Sequence, residues 1–469
     1  MSTTSAVARR LSRVTYDVRP AAPVRILHLG LGNFFRAHQV WYTDRAPGAD
    51  EWGIAAFTGR RPDAAEVLHA QDGLYSLITR GPDGDRFDVP AALSAVHPGT
   101  DHAAWLDYWR QPALAVVSLT VTEAGYTRSA DGGLGLDRHD VRADIHALRE
   151  NPSARVLTAA GKLVAGLEAR RAVGLGPVAL MPCDNLPGNG AVLERVVREL
   201  AERTGRPEPV EAVDKQAAFV TTMVDRITPA TTDEHRAAVL AQTGLMDASP
   251  VVTEPFTEWV INGDFPAGRP RWEEAGATFT DDVTPYEERK LWLLNGAHSL
   301  LAYATPLRGH ETVAEAVADP VCREWLEDWW MVACRHLTLP QEGLRDYRAA
   351  LLKRFSNFRI RHGLAQIAAD GSQKLPVRIV PALRRERERG ELPLGATRVL
   401  AAWVCHLRGV GAPVKDAAGA SLPQVGGTVP DAVRAVLTHL DPVLAADTPV
   451  VNAVLAQVTE LAGEDPVTS

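Results

Sequence analysis

Residues 24–38, Val-Arg-Ile-Leu-His-Leu-Gly-Leu-Gly-Asn-Phe-Phe-Arg-Ala-His, decide the fold of the first part of this chain. The apolar run that ends at Leu29 predicts a buried strand, and Gly30 and Gly32 predict a tight turn into a helix that continues through Tyr42. A helix that starts at such a turn presents backbone N–H groups that can bind a pyrophosphate. The order of strand, glycine turn and helix therefore predicts a site for a dinucleotide cofactor.

The turn departs from the usual dinucleotide fingerprint, because Phe35 stands at the third glycine and Gly-x-Gly alone is a weak indication. A second predicted strand, residues 53–57, should end beside the adenosine ribose. Asp63 could hold the ribose diol of NAD, whereas Arg60 or Arg61 could accept the 2′-phosphate of NADP or be ordinary solvated residues. These residues by themselves leave the choice between NAD and NADP open.

Two later apolar runs, residues 115–121 and 177–182, are followed by polar residues, as expected at the carboxyl edge of a parallel sheet. Glu123 follows the first run and is either a group near the cofactor or a helix cap. Asn185 follows the second run, within Cys-Asp-Asn-Leu-Pro-Gly-Asn-Gly, and lies either at the mouth of a cleft or in a turn without a function.

Composition bounds the class of protein. The chain has 469 residues, which favours two domains, and its net charge of −8 with 23% charged residues gives no bias towards nucleic acid or a membrane surface. No apolar run reaches membrane-spanning length, and the first twenty residues lack the apolar core of a signal peptide. The four cysteines have neither disulfide nor zinc-site spacing, so we expect no metal and a reducing cytoplasm.

The pattern changes near residue 280, where strand-like runs give way to helical periodicity, as in residues 311–337 and 432–461. We therefore expect a Rossmann-like α/β domain over residues 1–281, with a doubly wound and mostly parallel sheet. A mostly α-helical substrate domain should follow over residues 282–469, with the cleft between the two domains.

The second domain is predicted to open with a helix that is apolar almost all round yet carries Lys290, Asn295 and His298. At 100° per residue these three lie at about 0°, 140° and 80° around the helix axis, so all could face one cleft. Any one of them alone would be an ordinary structural residue, but three polar groups in an apolar helix favour a function. A desolvated lysine can act as a base, and an amide can donate to a developing alkoxide.

The spacing Lys290-x₄-Asn295-x₂-His298 resembles the signature of the mannitol dehydrogenase family, which comprises zinc-independent dehydrogenases of polyols and aldonates. The resemblance extends over roughly residues 24–410 in several blocks that keep their order. The blocks include residues 30–38, 71–75, 115–126, 183–190, 223–229, 254–261 and 370–372.

This resemblance implies NAD-dependent chemistry without a metal. Lys290 is then the general base, Asn185 and Asn295 polarise the carbon–oxygen group, His298 orients the substrate, and Glu287 relays the proton. The implied cofactor contacts are Gly30, Gly32, Asn33, Phe34, Arg36, Asp63 and Glu123.

Gln366, which precedes Asp-Gly-Ser-Gln-Lys, is similar to the fructuronate reductase branch of the family, whereas mannitol 2-dehydrogenases tend to have arginine there. A substrate carboxylate needs a cation, and Lys374, Arg361 and Arg378 are the candidates, although any of them could be an ordinary surface residue.

We therefore expect reversible NAD-linked oxidation of a secondary alcohol, D-mannonate to D-fructuronate before other substrates. Oxidation of D-mannitol to D-fructose is the alternative, and an NAD(H)-binding sensor without activity is the alternative of another class. The expected partner is a small sugar acid or polyol, and the oligomeric state, a monomer included, is left open.

Overall fold

The structure is a computed structural model that describes residues 9–59 and 61–462. The chain divides into two compact units, Met1–Thr284 and Pro285–Ser469. The predicted boundary at residues 281 and 282 stays a prediction at the level of single residues. Within the described residues, no helix is both long and apolar enough to cross a bilayer.

All named strands lie in the first unit. They are β1 (Arg9–Arg10), β2 (Val24–Leu29), β3 (Gly53–Phe57), β4 (Leu77–Gly81), β5 (Gly84–Asp88), β6 (Leu93–His97), β7 (Val116–Leu119), β8 (Val178–Pro182), β9 (Ala217–Phe219), β10 (Thr221–Asp225), β11 (Leu245–Met246), β12 (Val251–Thr253), β13 (Glu258–Asn262) and β14 (Thr278–Phe279).

The helices of the first unit connect these strands. They are α1 (Asn33–Ala37), α2 (Gln39–Arg45), α3 (Asp63–His69), α4 (His102–Trp109), α5 (His139–Glu150), α6 (Ala159–Ala172), α7 (Asn189–Arg203), α8 (Pro207–Gln216) and α9 (Asp233–Thr243).

The central sheet has six strands in the order β6-β3-β2-β7-β8-β9, and all neighbouring strands are parallel. Successive residues alternate between two buried clusters: Ile26 and Val116 point to one face, and Leu27 and Val117 point to the other. A sheet covered on both faces explains why its strands are apolar throughout. The strand order reverses between β2 and β7, where α/β sheets bind their ligands.

Three smaller sheets complete the first unit. The orders are β12-β4-β5, β10-β13-β14 and β1-β11. The parallel six-stranded sheet confirms the predicted Rossmann-like fold class of the first unit.

The second unit is helical in the residues that the structure describes. After α10 (Thr284–Arg289) and a π-helix (Lys290–Gly296) it contains α11 (Ala297–Ala304), α12 (Val313–Ala318), α13 (Pro320–Cys334), α14 (Gln341–Phe355), α15 (Leu364–Ile367), α16 (Gly371–Arg378), α17 (Val380–Glu388), α18 (Leu394–Leu407), α19 (Val429–Leu440), α20 (Pro442–Ala446) and α21 (Thr448–Ala462). The predicted helical second part is thus confirmed.

Helix α18 is the centre of this unit and packs against α11, α13 and α21. Gly395 permits its close approach to α13, since a Cβ atom there would lie 2.6 Å from the carbonyl carbon of Asp328. The long helical runs predicted over residues 311–337 and 432–461 are divided, because Asp319 and Asp441 cap new helices, α13 and α20, that begin at prolines.

Candidate functional site

The glycine turn lies where β2 and β7 separate. Gly30 has a φ of +117°, and a Cβ atom on it would lie 2.2 Å from the carbonyl oxygen of Thr120, so no larger residue fits. The backbone N–H groups of Gly30 and Leu31 donate to the carbonyl oxygen of Phe57, at 2.9 and 3.0 Å. The ends of three strands therefore fix the turn.

His28 and Phe35 explain the missing third glycine. Their rings are stacked with centroids 3.5 Å apart, so that α1 packs on β2 through two flat rings. The imidazole is also hydrogen-bonded to the hydroxyl oxygens of Ser118, at 2.8 Å, and Thr120, at 2.9 Å. Burial lowers the pKa of His28 to about 3, so the ring is neutral. His28 was not among the site residues predicted from the sequence, although a histidine within an apolar strand is a signal that could have identified it.

The polar side chains of α1 hold the turn from the other side. The buried Arg36 guanidinium donates to the Asn33 side-chain oxygen at 2.7 Å and to the backbone oxygen of Ser249 at 2.6 Å. The Asn33 amide donates to the Thr231 hydroxyl at 3.3 Å. Both side chains thus connect α1 to loops of the same unit, and their direct contact with a cofactor stays a prediction.

A cavity of about 1100 Å³ opens at the carboxyl edge of the sheet. Gly30 and Asp63 line it, as does Arg61, whose Nε lies 2.8 Å from a carboxylate oxygen of Asp63. Arg61 is largely exposed, and exposed ion pairs contribute little, which leaves the Asp63 carboxylate accessible to a ligand. Arg60 lies outside the described residues.

The other predicted cofactor residues are not in the cavity wall that the described residues form. These are Gly32, Asn33, Phe34, Arg36 and the exposed Glu123. Several residues that do line the cavity were not predicted from the sequence, among them Thr58, Thr120 and Lys162. Lys162 is buried on α6, its Nζ donates to the carbonyl oxygen of Gly99 at 2.6 Å, and burial lowers its pKa.

A dinucleotide fits these surroundings. The glycine turn lines the cavity at Gly30, where a pyrophosphate can approach the backbone. Asp63 can accept hydrogen bonds from a ribose diol, and Val121 and Val156 give the cavity apolar walls. A bound nicotinamide cofactor would supply a hydride acceptor.

Asn185 is exposed just beyond β8. Its neighbour Asp184 accepts a hydrogen bond from the Tyr126 hydroxyl, and burial raises the pKa of this carboxyl group. Asn189 is fully buried and bonds the backbone N–H and carbonyl of Thr222, both at 3.0 Å. The hydrogen bonds of Asp184 and Asn189 thus fix the loop on both sides of Asn185.

The segment from Lys290 to Gly296 is a π-helix, which corrects the expected α-helical geometry. In a π-helix the hydrogen bonds join residues five apart, so such residues lie nearly above one another. Lys290 and Asn295 are five apart and share a face, instead of standing about 140° apart as in an α-helix. Both are half-buried, and π-helical turns are frequent at functional sites.

His298 follows on α11 and is buried. Its ring centroid lies 5.0 Å from that of Phe355 and 4.9 Å from that of His362, which meets it edge-on. Burial, and then the charge of Arg354, lower the pKa of His362. The sequence analysis did not single out His362, which stands beside a predicted catalytic residue.

Three side chains from other helices reach the backbone of the π-helix. The indole N–H of Trp329 donates to the carbonyl oxygen of Trp292 at 2.9 Å, and that of Trp330 donates to Leu293 at 2.8 Å. The Arg378 guanidinium donates to the carbonyl oxygen of Asn295 at 3.3 Å and, at 3.2 Å, to the Ser299 hydroxyl.

Burial lowers the pKa of Arg378 to about 10. Two buried tryptophans and one candidate for substrate binding thus contact the predicted catalytic segment itself.

The remaining candidates for substrate binding differ in their surroundings. Lys374 donates through Nζ to the carbonyl oxygens of Ile367, at 3.2 Å, and Ala369, so it caps α15. Gln366 and Arg361 are exposed. Their roles towards a substrate stay predictions.

Within the described residues, His310, Asp319 and Cys322 form a group with metal-ligand atoms within 4.8 Å of one another. The Asp319 carboxylate already accepts from Arg308 at 2.8 Å and caps the N-terminus of α13. A guanidinium and the positive end of a helix both disfavour a cation there.

The first unit has a cavity that fits a dinucleotide. The second unit carries an amine and an amide on its π-helix and an imidazole on α11. These are groups that a nicotinamide-dependent dehydrogenase requires. Residues 24–274 match the mannitol dehydrogenase Rossmann domain, and residues 282–461 match the mannitol dehydrogenase C-terminal domain. The chain belongs to the mannitol dehydrogenase family.

Individual relatives agree with this family but differ in substrate. A mannitol 2-dehydrogenase of Cereibacter sphaeroides is 39% identical, over 85% of this chain and 83% of its own length. A D-mannonate oxidoreductase of Escherichia coli is 37% identical, over 82% of this chain and 80% of its own. The ternary complex of Pseudomonas fluorescens mannitol 2-dehydrogenase with NAD and D-mannitol has a TM-score of 0.76 at 33% identity, covering 97% of this chain and 94% of that one.

Proposed function

We propose that this NAD-dependent polyol or sugar-acid dehydrogenase interconverts D-mannonate and D-fructuronate. The observation that supports the chemistry is the π-helix, in which Lys290 and Asn295 are five residues apart, the spacing at which two residues share a face. Transfer of a hydride from a carbinol also requires removal of the hydroxyl proton and stabilisation of the oxygen that becomes a carbonyl. An amine and an amide are suited to these two tasks.

In the oxidation we propose that Lys290, in its neutral form, accepts the hydroxyl proton. Asn295 donates to the same oxygen, with Asn185 as a second donor, and lowers the energy of the developing alkoxide. His298, held by Phe355 and His362, orients the substrate hydroxyls. Glu287, one turn before Lys290, relays the proton to solvent.

The charges near His298 support an acidic substrate. Burial and then the positive charge of Arg354 lower the pKa of His362, whose ring contacts that of His298 edge-on. Arg378 donates a hydrogen bond to the carbonyl oxygen of Asn295. Two guanidinium groups beside the proposed catalytic residues favour a carboxylate over a neutral polyol. Arg361 and Lys374 remain the proposed direct contacts of that carboxylate, and Gln366 the residue that admits it.

Oxidation of D-mannitol to D-fructose is the second candidate. It is favoured by the 39% identity with the mannitol 2-dehydrogenase of Cereibacter sphaeroides. The two candidates use the same proposed chemistry and differ in what binds the end of the substrate.

Initial rates with D-mannonate and D-mannitol, each measured with NAD and with NADP, test the proposal. We expect kcat/KM for mannonate with NAD to exceed that for mannitol by at least about tenfold, since a charge-assisted contact contributes about 1.5–3 kcal/mol. A tenfold preference for mannitol contradicts the substrate assignment. NADH binding without turnover of any polyol or aldonate would favour the sensor instead.

We also propose a reducing, cytoplasmic setting. All four cysteines are buried and unpaired, which agrees with a compartment that keeps thiols reduced.

A further inference from the structure

We propose that Trp329, Trp330 and Arg378 are positioning residues that hold Lys290–Gly296 in its π-helical form. The structural part of this proposal stands on hydrogen bonds to the backbone of that segment. Its consequence for turnover rests on the proposed function, in which Lys290 and Asn295 act on one oxygen.

The two tryptophans are neighbours on α13 and donate to neighbouring carbonyls of the π-helix. Trp329 bonds Trp292 at 2.9 Å, and Trp330 bonds Leu293 at 2.8 Å. Both indoles are fully buried, so these carbonyls replace the water that an indole N–H would otherwise bond. If the carbonyls turned away, two buried donors would lose their partners, which is costly.

Arg378 on α16 supplies a third donor from another direction. Its guanidinium bonds the carbonyl oxygen of Asn295 and the hydroxyl of Ser299, and so connects the end of the π-helix to the helix that follows. A carbonyl oxygen has two lone pairs, so it can accept such a bond beside the bond within its own helix.

These three donors distinguish the π-helix from the α-helix. Rewinding Lys290–Gly296 into an α-helix would change the direction of each carbonyl about the axis, because successive residues would then differ by 100°. The donors on α13 and α16 could not keep their hydrogen bonds to all three carbonyls in the rewound helix. The bonds therefore stabilise the rare conformation relative to the common one.

Gly296 shows how close this contact is. A Cβ atom on Gly296 would lie 2.7 Å from the Trp329 ring, so the indole rests directly on the backbone of the π-helix. Loss of the π-helix would separate Lys290 from Asn295 by about 140° around the axis, and the amine and the amide would no longer reach one oxygen.

The variants Trp329→Phe and Trp330→Phe remove the indole N–H and keep an aromatic ring. Trp325→Phe is the matched control, because Trp325 is buried on the same helix and packs against the Arg308 and Arg398 guanidinium groups. We expect kcat to fall about 10- to 100-fold in each test variant, since a misplacement of about 1 Å can cost 10²-fold. KM should change less than about threefold, and the affinity for NADH should stay that of Trp325→Phe.

Two readouts separate positioning from lost stability. The pH at which oxidation reaches half its maximal rate should move in the test variants and stay constant in the control, because the surroundings of Lys290 change. Backbone amides of residues 290–300 should exchange with deuterium at least about tenfold faster in the test variants than in the control. Equal kcat, equal pH profiles and equal exchange in all three variants would overturn the proposal.

Replacing each tryptophan by benzothienylalanine, which has sulfur in place of the N–H and nearly the same shape, covers the case in which phenylalanine prevents folding. Arg378→Lys should retain most of the turnover of the wild type, whereas Arg378→Met should lower kcat. A rise in KM alone for Arg378→Met would assign Arg378 to substrate binding and remove it from the positioning group.

If the wild type oxidises no polyol or aldonate, the proposed function fails, and amide exchange still decides whether the three donors hold the π-helix.

Discussion

The glycine turn after β2 and the π-helix after α10 are both departures from regular backbone, and they differ in what maintains them. At the turn the cause is local, since Gly30 itself has the positive φ and the missing Cβ that the approach to Thr120 requires. In the π-helix we infer that the cause is distant. Donors on α13 and α16, far away in the sequence, bond its carbonyls.

This difference determines which property a substitution in each region should change. A change at the turn acts on the residue that is changed and on the bound cofactor. A change that affects the π-helix can lie on another helix, such as α13, through the hydrogen bonds of Trp329 and Trp330. We therefore expect variants of the turn to affect cofactor affinity, and variants around the π-helix to affect turnover.

The largest effect is expected for Lys290→Ala. Removal of the proposed base should lower kcat for oxidation by about 10²- to 10⁴-fold and leave the dissociation constant of NADH within about twofold of the wild type. In the wild type the rate of oxidation should rise with pH as Lys290 loses its proton. The exposed Lys353 provides the control Lys353→Ala, which should behave as the wild type. Retained turnover in Lys290→Ala would remove this residue from the mechanism.

The next effect is expected for Gly30→Ala. The added Cβ atom would meet the Thr120 carbonyl, and a non-glycine residue with this φ is strained by about 1–3 kcal/mol. We expect the affinity for NADH, measured by fluorescence titration, to fall at least about tenfold. Gly48 also has a positive φ, of +75°, but a Cβ atom there would have no neighbour within 4 Å, so Gly48→Ala is the control for backbone strain alone. Equal NADH affinities in the two variants would contradict the importance of the close approach.

Gly296→Ala should have a smaller effect, which should appear in turnover and stability and not in the affinity for NADH. Its Cβ atom would push against the Trp329 ring, which should cost about 1–3 kcal/mol of stability and lower kcat about tenfold while NADH still binds. The control is Gly343→Ala on α14, where the added Cβ atom has no neighbour within 4 Å. This substitution should stabilise the helix by up to about 1 kcal/mol, because alanine has a higher helix propensity than glycine. A loss of NADH affinity in Gly296→Ala would erase the distinction between the two regions.

The smallest effect is expected for the pH dependence of stability at the turn. The pKa of His28 is lowered to about 3, whereas an unfolded histidine has a pKa of about 6.5, so the unfolded state gains a proton first as the pH falls. The stability that depends on a neutral His28 is complete above pH 6.5 and is lost towards pH 3. Between pH 7.5 and 5.5 the free energy of unfolding, measured with urea, should fall by about 1 kcal/mol more in the wild type than in His28→Asn. Parallel losses in both proteins would mean that His28 is not held neutral.

Some features of these two regions could be predicted from the sequence, and others could not. The parallel sheet, the glycine turn and the helical second part could be predicted because each follows from local pattern and glycine chemistry. Lys290, Asn295 and His298 could be singled out as polar residues in an apolar helix, and the family resemblance added their roles, which stay predictions. The π-helix could not be predicted, since periodicity is read with an assumed number of residues per turn.

Other residues escaped prediction because their partners are distant in sequence. His28 matters through Phe35, Ser118 and Thr120, and Lys162 through Gly99. Conversely, Lys374 was predicted as a cation next to the Asp-Gly-Ser block, and its amine donates to the carbonyl oxygens of Ile367, at the end of α15, and of Ala369, just beyond it.

The bonds from Trp329 and Trp330 have a consequence for spectroscopy. Hydrogen bonding at the indole nitrogen shifts its ¹⁵N–¹H resonance, so two side-chain cross-peaks in an NMR spectrum report on the winding of Lys290–Gly296. The enzyme thus carries its own probes of that segment, and titrating cofactor or sugar against them needs ¹⁵N enrichment but no attached chemical tag.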